Sequence, residues 1–240
     1  MNPHSALYAS GAIALGIIGI VFHNFALQWQ PVPESLGMRT PLAFASAALL
    51  LIGGGALFTR KWERAGALLL AAFYGLWVVA LHLPRAIASW THIGAWNAPA
   101  EITYLAMGGV ALFATSAGTL RGTLNPIARI LAGMSALVFG LAHFNYIEFT
   151  ATFVPAWIPP TQVFWAWATG GGHFAAGLAL VTGYQARLAV TLHAAMMGSF
   201  ALLVHVPRVL ANPEKHEEWI MLAVSSALAG SALLIRKYAT

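Results

Sequence analysis

Histidines are the residues of this chain whose type and spacing could do chemistry. Imidazole binds Zn, Cu and Fe, and it exchanges a proton near neutral pH. Four of the nine histidines fall near one end of predicted apolar helices, namely His23, His82, His143 and His205. This placement has three interpretations. The histidines could lie at the membrane interface and bond to loop carbonyls, form a metal or haem site, or line a polar ligand pocket. The chain has no Cys and no Asp, so thiolate sites and Ser-His-Asp triads are excluded.

His173 and His193 differ from these four because they fall near the middle of apolar runs. The two runs are consecutive and joined by a short turn, so we expect both side chains at a similar depth. Ionisable residues inside a membrane indicate function by default. The pair could form a structural His–His or His–backbone bond, ligate a metal or haem, or belong to a quinone site. The preceding glycines, 170–172, allow close helix packing or leave room for a flat ligand.

Two Pro-Arg pairs follow histidines at the predicted ends of the third and seventh helices. They are Pro84-Arg85, after His82, and Pro207-Arg208, after His205. Proline lacks an N–H and normally stops a helix, so we expect both helices to end there. Arg85 and Arg208 then either snorkel to the membrane surface or bind a carboxylate, a phosphate headgroup or a quinone oxygen.

The elements that must position these residues are membrane-spanning helices. The chain is 59% hydrophobic and 8% charged, whereas a soluble domain carries about 25% charged residues, so a soluble enzyme is excluded. The apolar runs are continuous rather than alternating, which favours helices over strands. Eight runs have or approach the roughly 20 residues that a span needs: 6–29, 41–59, 65–83, 102–118, 127–147, 162–184, 188–207 and 219–235.

The basic residues predict the orientation of these spans. Eight Lys and Arg fall in the turns and termini on one side of the predicted spans, against four on the other. The more basic side should be cytoplasmic, which places both termini in the cytoplasm and the histidine-rich ends outside. Topology therefore accounts for the net charge of +5, and we expect no nucleic-acid partner.

An internal repeat organises the chain. His82-Leu-Pro-Arg85 matches His205-Val-Pro-Arg208, and in both copies an Arg lies 18 positions before the histidine, at Arg64 and Arg187. The match predicts two parallel four-helix repeats, residues 1–122 and 123–240, related by a twofold axis along the membrane normal. In this alignment Leu50 and Leu70 take the places of His173 and His193. The fold class is therefore all-α, a polytopic bundle of about eight helices.

The second half contains Val154-Pro-Ala-Trp-Ile-Pro-Pro160, a glycine-rich helix that follows it, and Gln185-Ala-Arg-Leu-Ala189. In these segments the chain resembles the DoxX family of small four-helix membrane proteins. The first half resembles the family more weakly. The resemblance implies a four-helix bundle in each half, a bacterial inner-membrane location and, in some relatives, links to quinone reduction or redox stress. It supplies no catalytic residues that could be carried over.

These patterns lead to three functional expectations. The first is a membrane subunit or accessory of a redox process that holds a quinone or similar amphiphile near the outer leaflet. In it, His173 and His193 handle protons or ligate haem b, and Arg208 binds a polar headgroup. The second is a transporter or lipid-binding membrane protein without catalysis. The third is a membrane scaffold for a partner enzyme, and whether the protein is itself an enzyme stays open.

Overall fold

The computed structural model describes residues 3–237 and 239. The described residues are all-helical, with no strand among them. The α-helices, in chain order, are α1 (Pro3–Val21), α2 (Arg39–Ala56), α3 (Glu63–Trp77), α4 (Leu83–Ala88), α5 (Gly94–Ala114), α6 (Arg121–Asn145), α7 (Ile147–Ala151), α8 (Gln162–Thr182), α9 (Ala186–Phe200), α10 (Val206–Ala211) and α11 (His216–Arg236). The predicted all-α bundle is confirmed.

Five helical segments of the described chain are long and apolar enough to cross a membrane. They are Arg39–Ala56, Glu63–Ala88, Gly118–Asn145, Ala186–Ala211 and His216–Arg236. The described part of α1 is also apolar but shorter, at Ser5–Val21. Helices α5 and α8 have 21 residues each and complete the set of long helices.

The third and seventh predicted helices do not end at their prolines, contrary to the sequence expectation. A π-helical segment joins α3 to α4 at Val78–His82, and another joins α9 to α10 at Ala201–His205. Each proline then sits in the first turn of the next α-helix, where its missing N–H has little effect. The helix axis therefore continues beyond Pro84 and Pro207.

Two other boundaries of the predicted spans were wrong. Helix α1 ends at Val21, and the apolar residues after it fold back, so that Phe25 and Trp29 are buried. Helix α5 begins at Gly94 rather than near residue 102, with Pro99 inside it. Hydropathy indicates which residues are buried and not where a helix ends. The predicted first span was therefore too long, because the buried loop after α1 is apolar. The predicted fourth span was too short, because the first turns of α5 are polar.

Close helix contacts hold the bundle together. Helix α1 packs on α2 and α11, α6 packs on α5 and α8, and α5 packs on α11. Glycines permit the closest approaches: a Cβ at Gly54 would lie 2.7 Å from the Ile13 side chain, and one at Gly177 would lie 2.7 Å from the Leu137 backbone nitrogen. Helices α5, α6, α8, α9 and α11 thereby surround the region where the buried histidines lie.

Candidate functional site

His173 and His193 form a direct hydrogen bond in the interior of the bundle. His173 lies on α8 and His193 on α9, and their side chains face each other because the two helices run antiparallel after a turn at Gly183, whose φ is 84°. Nδ1 of His173 is 2.8 Å from Nε2 of His193. The residues are 4% and 2% exposed, respectively. The sequence expectation of two histidines at one depth corresponds to a buried, bonded pair.

Tyr104 of α5 extends this pair into a chain of three polar groups. Its hydroxyl oxygen is 3.1 Å from Nδ1 of His193, and Tyr104 is fully buried. A neutral imidazole has one donor and one acceptor nitrogen, so the chain can run in two directions. In one, Tyr104 donates to His193 and His193 donates to His173; in the other, both histidines donate the opposite way. The remaining nitrogen of His173, Nε2, is accordingly a donor in the first case and an acceptor in the second.

A cavity of about 830 Å³ lies against His173. Its wall is mostly apolar and aromatic and includes Phe139, Trp165, Met196 and Phe200. The ring of His143 packs 4.8 Å from the ring of His173, centroid to centroid. A volume of this size, with few polar groups on an apolar wall, is typical of small-molecule sites.

His143 and His205 supply further imidazoles to the cavity wall. Nδ1 of His143 is 2.8 Å from the Phe139 carbonyl oxygen in its own helix. His205 belongs to the second π-helical segment, and its buried Nδ1 has no hydrogen-bond partner among the described residues. A buried polar atom without a partner costs about 1–3 kcal/mol, so Nδ1 of His205 is an unsatisfied group within the cavity wall.

Glu101 of α5 is a wall residue that the sequence analysis assigned no role. Trp29 donates its indole N–H to Oε2 of Glu101, and Asn97 donates to Oε1 at 2.9 Å. Both donors are neutral, and no basic side chain of the described chain forms an ion pair with Glu101. The signal available in the sequence was an acidic residue directly before an apolar run, with Asn97 one helical turn earlier.

Arg208 is bound within the protein. Its Nε donates to Oε2 of Glu218 at 2.8 Å and its Nη2 donates to Oε1 at 2.7 Å. The guanidinium also lies 4.7 Å from the Phe153 ring centroid. Arg208, Glu218 and Lys215 line a second cavity of about 480 Å³, adjacent to the first through shared residues such as Phe153.

Three other histidine and arginine candidates lie away from both cavities. His82 is buried, and its Nε2 is 3.0 Å from the Trp29 carbonyl oxygen. Arg85 is exposed. His23 is exposed beyond the end of α1, with its ring edge-on to Phe44. The structure thus brings together His173, His193, His143 and His205, but not His23, His82 or Arg85.

The geometry of the His173–His193 pair bears on the metal and haem hypotheses. With bonds of about 2.0–2.1 Å, a metal between two imidazole nitrogens needs them roughly 3.3 Å apart in a tetrahedral site and roughly 4 Å apart as the two axial ligands of a haem. The facing nitrogens are 2.8 Å apart, which is a hydrogen-bond distance. Within the described residues there is also no group of three His, Cys, Asp or Glu side chains placed to hold a metal ion.

The glycine run before His173 serves close packing at two of its positions. A Cβ at Gly170 would lie 2.7 Å from the Phe144 ring, and one at Gly172 would lie 2.9 Å from the Met196 sulfur. Neither of these glycines, nor Gly171, lines the cavity. The room beside His173 is provided instead by the separation of the surrounding helices.

Comparison with known proteins places a family match over the site. Residues 124–206 match the family model DoxX. The matched segment contains His143, His173, His193 and His205 and ends before Arg208. No curated protein and no solved structure matches the chain.

Proposed function

We propose that this protein, which carries a DoxX domain at residues 124–206, binds a quinone or a similar amphiphile in the 830 Å³ cavity. The DoxX match and the long apolar helices identify an integral membrane protein. The observation that carries the proposal is that His173 stands on the cavity wall and continues inward through His193 to Tyr104. A bound polar head therefore meets a nitrogen that can donate or accept a hydrogen bond.

The chemistry of the wall fits a ligand with a ring or chain and one polar end. Aromatic and Met side chains offer contacts to a flat ring or a hydrocarbon tail, and His173 offers a hydrogen bond to a ring oxygen. Reduction or oxidation of a quinone also requires electrons, which a partner redox protein in the membrane would exchange. In this proposal the present chain supplies the binding site and the proton relay, and haem b is not needed between the two histidines.

The same cavity supports a second function, binding or transport of an amphiphile without chemistry. The polar chain ends at Tyr104, which is fully buried and has His193 as its one hydrogen-bond partner in the described structure. A relay that ends inside the protein favours a structural role for the three groups. A scaffold role beside a partner enzyme requires no occupant of the cavity.

Location and symmetry belong to the proposal as well. The excess of basic residues on one side favours cytoplasmic termini in a bacterial inner membrane, although the terminal residues 1, 2 and 240 lie outside the described residues. The cavity then faces the outer leaflet. Duplication is supported by matched elements: α3, its π-helical segment and α4 have 15, 5 and 6 residues, as do α9, its π-helical segment and α10.

Equilibrium binding of a radiolabelled short-chain quinone tests the proposal. The protein is placed in lipid nanodiscs, and empty nanodiscs give the background. We expect His173→Leu to weaken binding by about tenfold or more, since it removes the hydrogen bond at the wall. His173→Leu combined with His193→Leu should abolish specific binding.

His23→Leu is the matched control, because His23 is exposed and away from both cavities. It should bind the quinone as the unaltered protein does. Full binding by the double Leu variant would reject the histidine site. Tyr104→Phe separates the relay from binding alone. If this variant binds the quinone normally but loses quinone-dependent proton exchange, the relay is favoured.

A further inference from the structure

The cavity has an electrostatic character that its histidines alone do not reveal. Two carboxyl groups line it, Glu101 and Glu217, and no Lys or Arg does so among the described residues. Glu217 is exposed and sits in the first turn of α11, where the helix end already favours an acid. Glu101 is the informative group, because it lies on the wall without a cation.

Glu101 retains hydrogen-bonding capacity toward the cavity. A carboxylate has about four acceptor positions on its two oxygens. Trp29 and Asn97 each use one of them. These two donors also fix the orientation of the carboxyl group, one from the segment after α1 and one from the preceding turn of α5.

The basic groups of the second cavity do not line the first. Arg208 gives two hydrogen bonds to Glu218 and stacks over Phe153, and it lines the second cavity together with Lys215. An anionic head in the first cavity would therefore meet carboxyl groups and imidazoles without a compensating cation. Like charges juxtaposed in a poorly solvated pocket are strongly unfavourable.

We infer that the cavity binds amphiphiles whose head donates hydrogen bonds and carries no negative charge, and that Glu101 is the residue that recognises this head. The inference rests on the proposed function, because it assigns a ligand class to the same cavity. A hydroxyl or an ammonium head can donate to Glu101, which lines the cavity. A sulfate or phosphate head cannot donate to it when fully ionised.

Site-resolved photolabelling tests the inference. Three probes share one alkyl chain with a diazirine and differ only in the head: an amine, an alcohol and a sulfate. After illumination in nanodiscs, mass spectrometry separates labels on cavity residues, such as Met196 and Phe200, from labels on exposed residues such as Leu202. We expect the amine and the alcohol to label the cavity at least about tenfold more than the sulfate does.

Glu101→Gln should invert this preference in part. Labelling by the amine should fall several-fold, labelling by the alcohol should stay similar, and labelling by the sulfate should rise. A misfolded variant would change labelling by all three probes in the same direction, whereas this inference expects opposite changes for the amine and the sulfate. Glu148→Gln is the control, since Glu148 is exposed and lines neither cavity, and it should leave all three probes unchanged.

The outcomes separate this inference from the proposed function. If no probe labels the cavity residues, the amphiphile site itself is rejected. If all three label them equally, or if Glu101→Gln changes no ratio, the cavity binds amphiphiles without selecting the head, and only the role of Glu101 is rejected.

Discussion

The buried histidines satisfy each other, and this explains why apolar helices tolerate them. An unpartnered imidazole nitrogen in the interior costs about 1–3 kcal/mol. His193 uses both ring nitrogens, one toward His173 and one toward Tyr104. In the proposed repeat, Leu50 and Leu70 take the corresponding positions of the first half, where both are equally buried and need no partner.

A double-mutant cycle on the histidines should show strong coupling. His173→Leu leaves one His193 nitrogen without a partner, whereas His193→Leu leaves both His173 and Tyr104 without one. We therefore expect His193→Leu to be the more destabilising, each change costing about 1–3 kcal/mol per orphaned group. The double variant should cost less than the sum of the two single variants. Unfolding in mixed micelles provides the measurement.

Tyr104→Phe in the double Leu background is the control, because it removes the last orphaned hydroxyl. That triple variant should be at least as stable as the double variant. Additive costs for the two single changes would contradict the bond between the rings and indicate that each histidine is solvated separately.

At this scale the sequence predicted the pair but not its surroundings. Helical spacing places His173 and His193 at one depth, so their meeting could be anticipated. Tyr104 is 89 positions from His193, and the packing of α5 that joins them is visible only in the folded chain. Glu101 was missed because the predicted span began after it, and its donor Trp29 was taken for part of the first helix.

At the scale of elements, the π-helical segments place residues on the cavity wall. Leu203, Val204 and His205 all line the cavity, and all belong to the segment Ala201–His205. A π-helical turn carries one extra residue per turn and is frequent at functional sites. The sequence signalled only the proline, and the general rule that proline stops a helix gave the wrong boundary. The wider turn before the proline changes which carbonyl faces its ring, so the helix resumes.

Deleting one residue from each π-helical segment separates its role in binding from its role in folding. Deletion of Leu202 removes the extra residue beside the cavity, and deletion of Val79 makes the same change in the first half. These two residues are 67% and 64% exposed, so neither deletion removes a core side chain. We expect loss of Leu202 to weaken quinone binding by about tenfold or more, because the side chains of Leu203 and His205 would rotate about the helix axis and no longer line the cavity.

The deletion of Val79 should leave quinone binding close to that of the unaltered protein. Both deletions place a proline in an ordinary α-helix, so both should lower thermal stability by a similar amount. Equal losses of binding from the two deletions would show that the π-helical turns act on the bundle as a whole.

At the scale of the whole molecule, the two halves pack alike but enclose different interiors. Gly54 approaches Ala9 and Ile13 as Gly177 approaches Gly133 and Leu137. Gly16 approaches Ala47 and Leu51 as Gly140 approaches Gly170 and Phe174. These contacts align α2 with α8 at an offset of 123 positions and α1 with α6 at 124.

Trp29 closes the first half where the second half is open. His82 and His205 are equivalent in the proposed repeat. His82 bonds to the Trp29 carbonyl, whereas His205 lines the cavity and its buried Nδ1 has no partner among the described residues. Trp29 is 4% exposed, so its indole fills space inside the bundle. In the proposed repeat, Trp29 therefore fills the place in the first half that corresponds to the cavity beside His205, and its indole also positions Glu101.

Removing this indole should create a second, fillable space. Trp29→Ala should destabilise the protein by about 3–5 kcal/mol, the usual cost of a buried Trp. Added indole should recover part of the melting temperature, because it replaces the missing ring in a site already shaped for it. Trp157→Ala is the matched control: Trp157 is 68% exposed, so its loss should cost little and indole should not help. If indole stabilises Trp29→Ala no more than Trp157→Ala, the first half has collapsed around the missing ring, and Trp29 is an ordinary core residue rather than the group that occupies a second binding place.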